Sequence, residues 1–144
     1  MAAQAAPIRV ANQLYQLKAD GHASNRGRGD VDAYSQVITH MQVAAAEIAV
    51  ARFLGIPWPG SFGDAGPDLV RHDRDGRPVY IDVKHTRHEN GRLIVDPDRG
   101  HANWQYILVT GYPPHLTIVG WRWGLDIMQP QHLRALTPHR PESY

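Results

Sequence analysis

Asp68, Asp82 and Lys84 are the residues of this chain whose types and spacing make a reaction centre conceivable. Segment 79–86 alternates, with Val79, Ile81 and Val83 on one face and Tyr80, Asp82 and Lys84 on the other. A carboxylate and an ammonium thus project from the same side of one strand, roughly 6–7 Å apart along it. On a half-covered sheet face that is costly unless the groups are paired or coordinated. Residues 73–77 read DRDGR, and Asp-Gly is a hairpin signal. The turn folds Asp68 back beside Asp82. Two converging carboxylates raise each other's pKa unless a cation sits between them. A hard divalent ion is the usual answer, and magnesium suits one or two carboxylates completed by water and phosphate. Such an ion and a lysine beside a phosphodiester form a hydrolytic centre.

Other elements must hold these groups in place. Tyr34, Val37, Ile38, Met41, Ala44, Ala45 and Ile48 recur at three-to-four spacing, which predicts a helix from about 33 to 54. Asp32 is its expected N-cap, and Gly55 followed by Pro57 its stop. Glu47 has Val43, Ala44, Val50 and Ala51 as its helical neighbours, so its carboxylate points away from bulk water and toward the same spot. Strands are expected over 68–72, 79–86, 92–95, 105–110 and 117–121. A short N-terminal helical stretch within 1–20 and a loop over 21–30 precede them. The fold class is therefore α/β: a central mixed β-sheet of about five strands with a long N-terminal helix packed on it. The chain divides into an N-terminal arm (1–30), a core (31–121) and a Pro-rich, extended C-terminal tail (122–144).

Pro67-Asp68, thirteen further residues and then Asp82-Val83-Lys84 resemble the PD-(D/E)XK nuclease motif in its D-x-K form. Glu47 falls where that superfamily carries an acid on its first helix. The resemblance covers roughly residues 33–121 and looks closest to small phage or bacterial members of the exonuclease-like and junction-resolving branches. It implies a restriction-endonuclease-like core of helix, three-stranded meander, helix and further strand. It also implies magnesium, with manganese able to substitute, held by Asp68, Asp82, the Val83 carbonyl and Glu47. Lys84 would assist the attacking water and DNA would be the substrate. Gln105 would stand for a glutamine that some exonuclease-like members use. Members often act in pairs, so a homodimer stays open. Residues 96–104 are short for the family's second helix.

Other features carry plainer readings beside the chemical ones. Arg26 and Arg28, in NRGRG, suit phosphates as well as they suit a solvated loop. Arg87 adds to a basic surface near the hairpin, and His85, His88 and His101 read as surface or substrate-side residues. None of these histidines has the fixed spacing of a zinc motif, which weakens a histidine-based metal hydrolase. Asp96 and Asp98, in DPDRG, read as a turn, and Trp121 and Trp123 as core and rim residues. The net charge is only +1, so any phosphate binding must be local. There is no cysteine, which excludes disulfides and thiolate zinc sites and suits a reducing compartment. No apolar run of the roughly 18 residues that span a bilayer is expected, and the start reads as no secretory signal. A cytoplasmic protein of a bacterium or phage-infected host follows, with no membrane partner. The rival reading is a catalytically inactive DNA-binding or assembly protein on the same fold.

Overall fold

The computed structural model describes residues 33–60, 66–135 and 142–143. The expected arm, with Arg26 and Arg28, the Asp32 cap and part of the tail lie outside the described residues.

Helix α1 spans Ala33–Leu54, the range its periodicity predicts. It ends because Gly55 adopts a left-handed φ of 69°. Gly55 N–H then donates to Arg52 O and Ile56 N–H to Ala51 O, the paired bonds of a Schellman closure. The following strands are β1 (Leu69–His72), β2 (Pro78–Thr86), β3 (Gln105–Tyr112) and β4 (His115–Trp123). They form one mixed sheet in the order β1-β2-β3-β4. β1 and β2 are an antiparallel hairpin, β2 and β3 run parallel, and β3 and β4 are antiparallel. The hairpin turn is the expected one: Asp73 Oδ1 accepts the N–H groups of Asp75 and Arg77.

Two apolar layers sandwich the sheet. On one face Ala46, Val50 and Ala51 of α1 pack on Leu69, Ile81, Val83, Ile107 and Val109. On the other, Val95, Tyr106 and Ile127 form a smaller buried cluster, with Leu93, Trp104 and Met128 against it. Parallel strands need a crossover to join them, and here it is residues 87–104. That crossover brings three corrections. Residues 92–95 are not a strand: Val95 is 2% exposed and buries itself as irregular chain passing across the second face. The sheet therefore has four strands rather than about five. The core also extends beyond residue 121, because β4 runs to Trp123 and the helical turn α2 (Gly124–Ile127) buries Ile127. The tail is not wholly extended either: Pro130–His132 is a 3-10 turn, and β5 (Arg134–Ala135) pairs with β6 (Glu142–Ser143).

The expectation of no membrane-length apolar run also needs correcting. Residues Val37–Leu54 of α1 form an 18-residue window of mean hydropathy 1.3, long and apolar enough to cross a bilayer by length and composition alone. In this fold α1 lies along the sheet, and Glu47 sits within that window, buried.

Candidate active site

The pairing of β1 with β2 stops at Leu69 opposite Ile81. Beyond that point β2 continues without β1 beside it. Asp68 fills the place the strand vacates. Its N–H donates to Ile81 O at 2.9 Å, and its Oδ2 accepts the Val83 N–H at 2.6 Å. The edge of β2 that gives its Val83 N–H to Asp68 also presents the Val83 carbonyl. At this break groups from the two faces of the sheet can meet. Asp82 and Lys84 stand on the face shared with Tyr106, which is Asp82's neighbour in register on β3. Glu47 arrives from α1 on the opposite side.

Glu47 is 4% exposed, and its Oε2 accepts the Trp58 Nε1–H at 2.8 Å. Burial pushes its carboxyl up from 4.5 to about 7; the tryptophan bond opposes this, and the charges of Asp68 and Asp82 add to it. Burial likewise lifts Asp68 from 3.8 to about 6, with Asp82 adding, while the Val83 N–H and the Lys84 ammonium pull it down. The four groups therefore sense one another. Lys84 Nζ lies 2.7 Å from Asp82 Oδ1 and donates to Oδ2 at 3.0 Å. Both Asp82 oxygens therefore lean on the one ammonium, and Oδ1 is buried with no other partner. The plain same-side ion pair is thus present, beside two further carboxylates, of which Asp68 also feels the ammonium.

Among the described residues, no three His, Cys, Asp or Glu side chains form a ready metal-binding group. A magnesium-type ion needs no such cage, since one or two carboxylates with water and phosphate suffice. Asp68 and Asp82 supply that number. The two raised carboxyls, with Asp82 beside them and its oxygens served by Lys84 alone, mark a centre short of positive charge, so the donor set fits a hard cation. The Lys84 side chain is 37% exposed and has room to turn from Asp82 into the cleft.

That cleft, of about 870 Å³, is lined by Asp68, Asp82 and Lys84 and by Asp96, Asp98, Arg99, His101 and Trp104 of the crossover. The expected nucleic-acid residues divide. His85 lines the cleft, but its Nε2 donates to the Gly111 carbonyl at 3.0 Å and ties β2 to the end of β3. Gln105 is buried on the α1 face, the side opposite Asp82 and Lys84, and its Oε1 accepts from Arg71 Nε at 3.2 Å. It is a strut of the sheet, because strand alternation turns it away from the cleft. Arg87 is exposed past the end of β2 and does not line the cleft. Asp96 makes the expected turn, its Oδ1 accepting the Asp98 N–H.

Trp58 and Tyr106 were missed. A tryptophan in the Pro-Trp-Pro-Gly loop directly after α1 was the available signal for the first. The second was the aromatic at the start of a strand running beside Asp-x-Lys. In comparisons with known proteins, no family model, no curated protein and no solved structure matches the chain.

Proposed function

We propose that the protein is a magnesium-dependent nuclease that hydrolyses DNA phosphodiester bonds, on a core of the restriction-endonuclease type reduced to four strands. The observation that carries the reading is the clustering of Asp68, Asp82 and Lys84, with Glu47 close enough to feel both aspartates, at a break in the sheet beside an open cleft. A binding module gains nothing from such a charge cluster, whereas phosphoryl chemistry needs it.

Asp68, Asp82 and the Val83 carbonyl would hold the ion, with Glu47 completing the set. When bound, magnesium supplies electrophilic stabilisation of the phosphate and a more acidic water. The chain's own residues do the rest. Val83 N–H fixes the Asp68 carboxylate through Oδ2. Trp58 holds Glu47. Lys84, released from Asp82, brings its ammonium to the phosphate oxygens as negative charge grows there, or orients the attacking water. Manganese is expected to substitute.

The test uses supercoiled plasmid and linear DNA with magnesium, manganese or EDTA. Cleavage of at least one of the two DNAs is expected with either metal, and of neither with EDTA, the plasmid reading endonuclease action and the linear DNA attack from an end. Asp82→Ala and Lys84→Ala should each abolish it while the circular dichroism spectrum stays unchanged. Activity surviving both substitutions overturns the site. DNA binding without turnover in any metal selects the inactive DNA-binding reading instead.

A further inference from the structure

Two rings of the crossover, His101 and Trp104, line the same cleft as Lys84. His101 and Trp104 stack with ring centroids 3.9 Å apart and planes 22° from parallel. Trp104 leans in turn on Tyr80, at 6.0 Å and 47°. Both ends of this ladder are exposed, and of its three rings those of His101 and Trp104 belong to residues that line the cleft.

The ladder is held in place from behind. His101 N–H donates to the Tyr106 hydroxyl at 2.8 Å. Gly124 N–H donates to Trp104 O and Leu125 N–H to Ala102 O, both at 2.8 Å. Gly124 approaches so closely that a Cβ there would collide with the His101 carbonyl. Residues 101–104 are therefore clamped between β3 and α2, which makes their rings a preformed surface rather than a mobile loop. The ring of Tyr106, whose hydroxyl grips His101, lies 6.0 Å from Lys84 Nζ. One tyrosine thus links the lysine to the ladder.

We infer that the His101–Trp104 stack binds an unpaired nucleobase, so that the strand whose phosphate reaches Lys84 enters the cleft single-stranded. Every base has a π face, so stacking on aromatic rings is tolerant of sequence. A base inside a duplex reaches such a platform only after unstacking and unpairing, at a cost of a few kcal/mol. The favoured substrates are then single strands, ends, flaps and gaps. This inference rests on the nucleic-acid part of the proposed function and not on cleavage.

Fluorescence anisotropy in EDTA, without turnover, tests it. The probes are a labelled single-stranded DNA oligonucleotide, its RNA counterpart and a covalently closed duplex of the same sequence. The wild type should bind the single strands at least about tenfold more tightly than the duplex. His101→Ala should weaken single-strand binding about tenfold, within the range of one base–aromatic stack. His101→Phe, which keeps a ring, should restore it, and neither substitution should change duplex binding. Equal affinity for the two forms, a Phe variant as weak as the Ala variant, or no binding by the wild type overturns the platform. A protein that cleaves DNA yet shows any of these results keeps the nuclease reading and loses the platform. One that binds as expected but never cleaves does the reverse.

Discussion

Replacing Asp68 by asparagine should make the metal-free protein more stable at pH 8 while abolishing its activity. A carboxyl with a folded value of about 6 against an ordinary 3.8 costs about 3 kcal/mol of folding free energy once ionised, at ~1.36 kcal/mol per pH unit. The sign follows from proton counts. Between pH 4 and 6 the folded state keeps a proton on Asp68 that the unfolded chain has lost. Stability from this group is therefore fully present below about pH 4 and is lost as pH rises through about 6. The substituted asparagine carries no charge, yet its side-chain oxygen can still accept the Val83 N–H. The difference between variant and wild type should be near zero at pH 4 and approach about 3 kcal/mol at pH 8. For a chain of this length that corresponds to a rise in Tm of about 6–12 °C. Urea unfolding of both proteins in EDTA, at half-unit pH steps, measures the difference directly and cancels every titration the two share. A variant less stable than wild type at pH 8, or a difference that does not grow with pH, would refute the electrostatic account of the site.

Further expectations follow from the same contacts. Magnesium should raise Tm more at pH 8 than at pH 5, because near pH 5 Glu47 and Asp68 hold protons that the ion must displace; differential scanning fluorimetry across pH checks it, and an equal or inverted effect counts against carboxylate ligation. Lys84→Ala should lower kcat by on the order of 100-fold or more and lift the Asp68 carboxyl further, since the ammonium now pulls it down; plasmid cleavage and carboxyl NMR titration read the two effects. Trp58→Phe removes the indole donor from a buried carboxylate and should cost about 1–3 kcal/mol at pH 8, less at pH 5 where Glu47 is protonated. A loss independent of pH would mean that Trp58 serves Glu47 by packing alone. Ile81→Ala, in the fully buried centre between α1 and the sheet, should cost about 2–5 kcal/mol by chemical denaturation.

What was legible in the sequence was what short periods encode. The three-to-four spacing from Tyr34 to Ile48 and the Gly55-Ile56-Pro57 stop give α1 its bounds. The alternation from Val79 to Lys84 and the Asp-Gly turn give the hairpin. Together these bring Glu47, Asp68, Asp82 and Lys84 to one place. The crossover was illegible because its order is tertiary. Leu93, Ile94 and Val95 look like a strand by composition, but their backbone joins none of the sheet's strands and crosses its second face instead. Val95 is instead fixed by burial against Tyr106 and Ile127. Gln105 misled for a related reason. Its register on β3 fixes its face, and register is set by the parallel pairing with β2, which no local pattern announces. Trp58 was hidden because a hydrogen bond from a loop indole to a helix carboxylate depends on how the loop returns to the sheet.

The energetics of the site and its proposed role are two sides of one arrangement. Three carboxylates around one lysine work against folding above about pH 6, by an amount that is a large fraction of the roughly 5–15 kcal/mol of an ordinary domain. A sequence selected for stability alone would replace Asp68 by asparagine or Glu47 by glutamine, and either would keep most of the packing. The fold instead surrounds the cluster with devices that hold it in its unfavourable state: the Val83 N–H on Asp68, the Trp58 indole on Glu47 and the Lys84 ammonium on Asp82. They do not neutralise the cluster: the two N–H donors carry no net charge, and one ammonium offsets only one of three carboxylates. On the proposed reading a cation would remove that repulsion, and the free energy withheld from the metal-free fold would reappear as affinity for the ion. The stabilisation of the Asp68→Asn variant and its loss of magnesium response should therefore be of similar size, since both report the same repulsion at the break between β1 and β2.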